Sequence, residues 1–512
     1  MSRSSSTQRK VGTLLSYALL LGNTVINLAY VPILLSFIGV AEFGLYRLLG
    51  SVIAYFNVLD FGLSATITRF LVKYKTLKDQ VKIDKLLTMS LLLYVGIGVI
   101  LSLCGLIVYY CIPYIFKDSL APEMIDSAKK IFLLLLLNLL MLFASKVFDA
   151  VIISEERFIF HRLISLIQIL LQPFAIVGVL IFYPTALSVV LVQTVFNLLL
   201  VLVKVIYCRR VLQVRFVYHG WDSEILLAMR NLSLSLFVVS VVDQVFWQSN
   251  QLLIGIKIGA ESVAIYAIAS QIYINYMNIS LAVSSTLLPK ITAMVTNRCS
   301  DEEFQHLFLK VGRLQFYLLS LILSGFILFG HSFLHYWVGD GFDLVYWITL
   351  IIIVPFTIDL IQNVGLSIMQ ARNVYHVRAV IYVFVGILNV VLAYYWIDMY
   401  GIAGGAVATG LSMLLGNGII MNVYYHRYMN LNIVHFWKQI ARLSVVMILL
   451  TVLGLYVIPH IDLNSSIYIF VISMLLYSFI YFGVQWISNF NSYEKNLFYS
   501  FFLKVVLIKK SC

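Results

Sequence analysis

Charge is scarce in this chain, because Asp, Glu, Lys and Arg together make up only 11% of its 512 residues. Soluble domains carry about 25% charged residues, so this surface could not be solvated as a water-soluble globule. The scarcity excludes a soluble enzyme and a disordered protein. Hydrophobic residues make up 62% of the chain, and this proportion indicates a protein that crosses a membrane many times.

Cysteine is sparse as well, and the motifs of a membrane enzyme are missing. The five cysteines are scattered, odd in number and without any C-x-x-C spacing, so we expect no disulfide framework, no metal site and no cofactor. The inner loops lack D-x-D and G-x-G-x-x-G motifs, and the longest predicted outer loop, at about 113–129, is too short to hold a folded domain. A membrane-embedded enzyme, such as a glycan polymerase, is therefore the least favoured class of protein for this chain.

Long apolar runs fill most of the sequence. A bilayer span needs about 20 apolar residues, and the runs predict 14 membrane-spanning helices. Runs such as IFLLLLLNLLMLF (131–143) are apolar on every face, which excludes a transmembrane barrel. The first run is too long for a signal-peptide core, so we expect it to remain in the mature protein. The predicted spans cover residues 11–39, 43–68, 86–112, 130–152, 160–183, 185–207, 228–256, 262–288, 314–338, 344–369, 376–397, 401–425, 440–459 and 466–488.

The basic residues fix the predicted orientation of these spans. With the N-terminus in the cytoplasm, 30 of the 35 Lys and Arg residues fall on the inner side, four fall outside, and Arg47 lies within the second span. The opposite orientation would violate the positive-inside rule. The sequence therefore predicts a multi-pass membrane protein with both termini in the cytoplasm.

A weak internal duplication suggests how the spans are grouped. A gapless shift of 220 residues places residues 38–56 on 258–276 and aligns Tyr46 with Tyr266. Six crossings separate the copies, which predicts a parallel repeat of two six-helix lobes with two helices appended. The predicted parts are a cytoplasmic N-terminus (1–10), an N-lobe (11–208), a cytoplasmic linker (209–227), a C-lobe (228–427), helices 13 and 14 (440–488) and a cytoplasmic tail (489–512).

Three segments resemble a known family. IGVAEFGLYRLLGSVIAYFNVLDFGLSATITRF (38–70) is similar to helix 2 of bacterial polysaccharide and oligosaccharide flippases, of the O-antigen type. DQVFWQSNQLLIGIKIGAESVAIYAIA (243–269) and NVVLAYYWIDMYGIAGGAVAT (389–409) resemble their equivalent segments. The resemblance covers about residues 11–425 and places the chain in the multidrug/oligosaccharidyl-lipid/polysaccharide transporter superfamily.

This resemblance implies a transporter rather than an enzyme. It implies a V-shaped, two-lobe cavity that moves an undecaprenyl-diphosphate-linked sugar unit across the inner membrane by alternating access, for assembly of a lipopolysaccharide, O-antigen or capsule. The expected partners are the lipid-linked oligosaccharide, membrane lipids and other membrane proteins of polysaccharide assembly, and no nucleic acid. A lipid II flippase and a drug/cation antiporter of the same superfamily remain the alternatives.

Polar side chains in the spans mark a candidate substrate cavity. Amides recur at i, i+4 or i, i+4, i+7 on helices 1, 7 and 8, so each set shares one helix face and could bind sugar hydroxyls. Any single amide could instead form a hydrogen bond to a neighbouring helix and so stabilise helix packing. The guanidinium of Arg47 could bind a diphosphate or extend to the outer headgroups. The predicted cavity residues are Asn23, Asn27, Arg47, Gln244, Gln248, Gln251, Gln271, Asn275 and Asn278.

Three carboxylates lie deep in the predicted spans. A charge at mid-membrane is costly, so Asp60, Asp243 and Asp359 are candidates for coupling to a proton or sodium gradient. For Asp60 a structural contact is the alternative role, and for Asp359 the alternative is a static kink after Pro355. A substrate flux that does not change when both gradients are collapsed would exclude this coupling.

Overall fold

The computed structural model describes residues 5–214, 216–218, 220–496 and 499. Within these ranges the chain is helical and forms no strand. The α-helices are α1 Ser5–Phe56, α2 Leu63–Thr76, α3 Gln80–Ile115, α4 Pro122–Ser154, α5 Phe158–Leu180, α6 Ala186–Arg210, α7 Ser223–Lys257, α8 Ala260–Ser285, α9 Leu288–Thr296, α10 Asp301–Val338, α11 Asp343–Leu360, α12 Asn363–Ala371, α13 His376–Tyr400, α14 Ile402–Met413, α15 Met421–Tyr428, α16 Ile433–Val457 and α17 Ile467–Ser488.

The helices account for the predicted number of spans. Twelve helical stretches of the described chain are long and apolar enough to cross a membrane. The first, Gly22–Thr76, has 55 residues and is about 80 Å long at 1.5 Å per residue, more than twice the hydrocarbon thickness of about 30 Å. It bends at Gly39, whose φ of 75° favours glycine, and so provides two spans. The 35-residue α7 is not among these twelve stretches, but it is long enough to cross the membrane and would bring the number to fourteen. The predicted all-α polytopic fold is confirmed.

Several predicted spans are interrupted helices. The predicted span 344–369 consists of α11 and α12. Residues 401–425 contain α14, a π-helical stretch at Leu414–Ile420 and the first part of α15. The second span has a 3₁₀ turn at Asn57–Asp60 before α2. Non-helical backbone at membrane depth is tolerated where protein or a water-filled cavity satisfies its polar groups.

The described chain divides into two compact units. The first comprises the chain up to Gln271 together with Val390–Gly405. In it, α1 packs against α5 and α7, and α4 packs against α3 and α6. Gly44 allows α1 to approach α8, because a Cβ at this position would lie 1.8 Å from the carbonyl oxygen of Ala260.

The second unit comprises Ile272–Asn389 and the chain from Ala406 onward. Here α10 packs against α11, α16 and α17. Its apolar core includes Leu328 and Phe329 of α10 packed with Leu463 and Phe470. Burial of such side chains contributes about 1.5–3 kcal/mol each, which fixes the last two spans on the second unit.

The division into two lobes and an appended pair of helices stays a prediction, with the bounds 11–208, 228–427 and 440–488. Of the predicted cytoplasmic ends, residues 1–4, 497–498 and 500–512 lie outside the described residues. The same is true of residues 215 and 219 in the predicted linker 209–227.

Candidate substrate cavity

The first unit contains a cavity of about 200 Å³. Its walls come from α1, α5 and α6, with one residue from α8. Four of the nine predicted cavity residues, Asn23, Asn27, Arg47 and Gln271, lie in this wall. The full lining is Asn23, Ile26, Asn27, Tyr30, Val31, Leu34, Phe43, Tyr46, Arg47, Ile169, Gln172, Pro173, Ile176, Gln193 and Gln271.

The local sequence of α1 explains how one helix provides most of the wall. Asn23 and Asn27 are one turn apart on one face, and both side chains are exposed. The bend at Gly39 then redirects the helix, so that Tyr46 and Arg47 beyond the bend line the same cavity. The predicted stripe of amides on the first span therefore faces open space.

Arg47 determines the electrostatics of this cavity. It is half-buried, and it is the only charged residue among the lining side chains of the described chain. A guanidinium presents five N–H donors in a planar fork that matches phosphate oxygens. The low dielectric of a membrane-embedded wall strengthens its attraction for an anion. The cavity can therefore bind an anion and disfavours a cation.

Two tyrosines add hydroxyl groups to the wall. The Tyr46 hydroxyl accepts a hydrogen bond of 2.9 Å from Gln193 Nε2, which fixes α6 on α1. The Tyr30 hydroxyl is buried and has no hydrogen-bond partner in the structure. A buried hydroxyl without a partner is costly, so Tyr30 is suited to bind a polar ligand group in the cavity.

A polar network extends from the cavity through three helices. Gln168 Nε2 of α5 donates to Gln172 Oε1 at 3.0 Å and to Asn197 Oδ1 of α6 at 3.1 Å. Asn197 Nδ2 in turn donates to Asn138 Oδ1 of α4 at 3.2 Å, and Asn138 Nδ2 donates to Thr194 Oγ1 at 3.0 Å. These contacts fix the side chain of Gln172 in the wall.

The sequence reasoning missed Tyr30, Tyr46, Gln172 and Gln193. A signal for Gln172 was present, because it follows Gln168 by one turn, the same i, i+4 spacing that drew attention to the first span. The tyrosines carried no comparable signal, since the chain has 32 of them.

The other five predicted cavity residues do not line this cavity. Gln251 of α7 is buried and donates to Ser270 Oγ at 3.4 Å. Gln244 and Gln248 are half-buried on the same helix. Asn275 and Asn278 of α8 belong to the second unit and are half-buried there. Their assignment to a substrate cavity stays a prediction.

Asp60 has partners within the protein. Its carboxylate lies 2.9 Å from Lys146 Nζ of α4 and accepts a hydrogen bond of 2.8 Å from the Tyr94 hydroxyl of α3. The Lys146 ammonium also lies over the Phe143 ring, 4.6 Å from its centroid. These contacts hold the 3₁₀ turn that ends at Asp60 between two helices, while a role in ion coupling stays a prediction.

Asp243 and Asp359 occupy different surroundings. Asp243 is half-buried on α7. Asp359 lies next to the last residue of α11, one turn after Pro355, and interacts with Asn417 of the π-helical stretch and electrostatically with Arg378 of α13. The guanidinium of Arg378 lies over the ring of Tyr382, 4.6 Å from its centroid. In the described part of the chain, no group of three or more His, Cys, Asp or Glu side chains could hold a metal ion.

The helical arrangement is similar to that of solved membrane transporters. A lipid II flippase, MurJ in an inward closed conformation, is similar with a TM-score of 0.70 at 15% identity, covering 92% of this chain and 98% of that one. An inward-facing multidrug resistance MATE family transporter gives a TM-score of 0.63 at 13% identity, covering 82% and 95%. At these identities the likeness establishes the fold.

The sequence identifies the family within that fold. Residues 11–295 match the family described as polysaccharide biosynthesis protein, and the chain belongs to this family. A Shigella flexneri protein named "Putative O-antigen transporter" is 20% identical over 442 residues, which are 81% of this chain and 97% of the relative. The resemblance expected from residues 38–70, 243–269 and 389–409 is confirmed.

Proposed function

We propose that this protein is a flippase for an undecaprenyl-diphosphate-linked oligosaccharide repeat unit in a bacterial inner membrane. It moves the unit from the cytoplasmic to the outer leaflet by alternating access, for O-antigen or capsule assembly, and both of its termini lie in the cytoplasm. Family membership and the O-antigen transporter relative support the transport of a glycan.

The observation that carries the proposal is the composition of the cavity wall. Arg47 supplies the positive charge that a diphosphate requires, and Asn23, Asn27, Gln172 and Gln271 supply amides for sugar hydroxyls. A sugar diphosphate cannot enter hydrocarbon without replacement of its hydration. The wall provides this replacement, while the isoprenoid chain stays in the lipid.

The size of the cavity limits what it binds in this conformation. Pockets for drug-sized ligands occupy about 300–1,000 Å³, and this cavity has about 200 Å³. It can hold a diphosphate or a single sugar, and not a complete repeat unit. Alternating access requires a conformation in which the cavity is larger.

The two alternatives predict different cavities or phenotypes. A drug/cation antiporter favours an acidic, aromatic pocket, and the described lining contains no carboxylate. A lipid II flippase would also bind a diphosphate, but its deletion would be lethal. Deletion of a glycan exporter removes the surface glycan and leaves the cell viable.

The direct test is deletion of the protein from its host, followed by complementation. Deletion should abolish the surface glycan and leave lipid-linked repeat units on the cytoplasmic leaflet. Wild type and Arg69→Ala should restore the glycan, because Arg69 is exposed and lies outside the cavity wall. Arg47→Ala and Asp243→Asn should fail to restore it at equal protein levels.

Two outcomes would contradict the proposal. A deletion strain with full surface glycan, in a cell without a second such transporter, would exclude the function. Full restoration by Arg47→Ala would exclude the role of the cavity.

A further inference from the structure

A group of three ionisable side chains lies in the first unit, outside the cavity wall. Asp149 comes from α4, His161 from α5 and Lys204 from α6. Lys204 Nζ donates to Asp149 Oδ2 at 2.8 Å, and His161 Nδ1 lies 3.5 Å from Asp149 Oδ1. The three side chains are only 13–18% exposed.

The contact between Asp149 and His161 is incomplete. Asp149 Oδ1 and His161 Nδ1 are both buried, and neither atom has a hydrogen-bond partner in the structure. Their separation of 3.5 Å exceeds the usual hydrogen-bond range of about 2.7–3.2 Å. A carboxylate oxygen and an unprotonated imidazole nitrogen both present lone pairs, so the two atoms form a hydrogen bond only when a proton lies on one of them.

The groups around this pair favour the binding of a single proton over the binding of a metal ion. Lys204 already satisfies the second carboxylate oxygen, and three side chains of mixed type are too few and too basic to hold a metal cation. Other charged or titratable side chains that act on the pair are Arg162 of α5, Tyr94 of α3, Cys208 of α6 and, through Cys208, Lys75 of α2.

The helix that carries His161 also forms part of the cavity wall. His161 lies in the first turn of α5, and Gln172 and Pro173 line the cavity further along the same helix. Eleven residues of α-helix separate His161 from Gln172, which corresponds to about 16 Å. A change in the packing of α5 against α4 therefore reaches the cavity through one continuous helix.

We propose that Asp149 and His161 form a binding site for a single proton, and that its occupancy fixes α5 against α4 and thereby controls the cavity. In the neutral imidazole only the Nδ1–H tautomer can donate to Asp149, whereas the protonated imidazolium always carries a proton on Nδ1 and adds a positive charge, so the bound proton strengthens the contact that joins the two helices. Control of the cavity rests on the proposed transport function, whereas proton binding does not.

The first experiment detects the proton directly. The purified full chain, labelled with ¹⁵N-histidine, is titrated from pH 5 to pH 8 by NMR, and the His161 signal is assigned by its loss in His161→Gln. The signal should titrate in this range. Asp149→Asn and Lys204→Met should move its midpoint in opposite directions by about one pH unit, because they remove charges of opposite sign.

A matched control separates this site from other histidines. His435→Gln removes an exposed histidine at the start of α16 and should leave the His161 titration unchanged. A His161 signal that does not titrate between pH 5 and pH 8, or whose midpoint is insensitive to both variants, would overturn the proton site.

The second experiment tests control of transport. Translocation of the lipid-linked unit to the inner leaflet of inverted vesicles should change several-fold between pH 6 and pH 8 in wild type and His435→Gln, and the change should be lost in His161→Gln and Asp149→Asn. An unaltered pH profile in both variants would overturn the link to the cavity. Absence of export in wild type would count against the proposed function alone, because the NMR titration decides the proton site independently.

Discussion

The two units place an arginine of a long apolar helix in different surroundings. In the second unit, the Arg313 guanidinium of α10 is bound by protein, with Nε 2.7 Å from Glu494 Oε1 and Nη2 3.0 Å from Glu494 Oε2. It also donates to the Tyr317 hydroxyl at 2.9 Å and to the Asn489 carbonyl at 2.8 Å. In the first unit, Arg47 lines an open cavity.

The difference shows that an arginine on a membrane-spanning helix does not by itself indicate a ligand site. Glu494 is 1% exposed and Arg313 is 9% exposed, so this pair fixes the segment after α17 on α10. The surroundings of the guanidinium, and not the residue type, distinguish Arg313, which is enclosed by protein groups, from Arg47, which lines a cavity.

Truncation of the structural arginine should have the largest effect on stability. Arg313→Ala leaves the buried Glu494 carboxylate without its ion-pair partner, and such changes cost about 3–5 kcal/mol. Thermal unfolding of the purified chain in detergent should show a much lower Tm for Arg313→Ala and Glu494→Ala. Arg69→Ala, at an exposed arginine outside the cavity wall, is the matched control and should keep a Tm close to wild type. Equal loss of stability in Arg313→Ala and Arg69→Ala would contradict the structural role of Arg313.

Truncation of the cavity arginine should instead impair ligand binding. A hydrogen bond to a charged group contributes about 1.5–3 kcal/mol, so Arg47→Ala should weaken the binding of geranyl diphosphate by about 10–100-fold. Arg47→Lys should lose part of this affinity, because an ammonium cannot form the bidentate contact. Calorimetric titration of the purified variants measures both effects, and unchanged affinity in Arg47→Ala would contradict the account.

Asp60 offers a third case, in which a structural contact and ion coupling can be separated. Lys146→Met removes the partner 2.9 Å from the carboxylate and should cost about 1–3 kcal/mol. The double variant Asp60→Asn, Lys146→Met should regain most of that stability. If Asp60→Asn abolishes the dependence of export on a proton or sodium gradient, Asp60 also couples transport to an ion.

Tyr30 and Tyr46 should give the smallest effects. Tyr30→Phe removes a hydroxyl that has no hydrogen-bond partner among the described residues, so the free energy of unfolding should change by less than about 0.5 kcal/mol, while geranyl diphosphate binds several-fold more weakly. Tyr46→Phe removes the hydrogen bond from Gln193 and should cost about 1 kcal/mol of stability. Unfolding and binding are measured on the same samples. A larger loss of stability in Tyr30→Phe than in Tyr46→Phe would contradict these roles.

Most of the fold was predictable from the sequence, because hydropathy and helix length are local properties. The fourteen runs correspond to the observed helices, and the bend at Gly39 separates the first two. The interruptions were less predictable. The π-helical stretch at Leu414–Ile420 depends on packing between helices, which an apolar run does not reveal.

The candidate site was predictable only in part. Helical spacing identified Asn23 and Asn27, but it could not show that α5 and α6 complete the cavity. It also could not find ion pairs between distant segments. Arg313 and Lys204 counted only as basic residues of the inner side, because their partners Glu494 and Asp149 lie 181 and 55 residues away in the sequence.

The most direct test of the central claim is the accessibility of Asn27 with and without ligand. In a cysteine-free background, Asn27→Cys should react with a water-soluble methanethiosulfonate reagent, because this position is exposed in the cavity wall. Geranyl diphosphate should protect the thiol, whereas geraniol and tetraphenylphosphonium should not, and Arg47→Ala should abolish the protection. An unreactive thiol, or equal protection by the cation, would contradict a solvated cavity that binds a diphosphate.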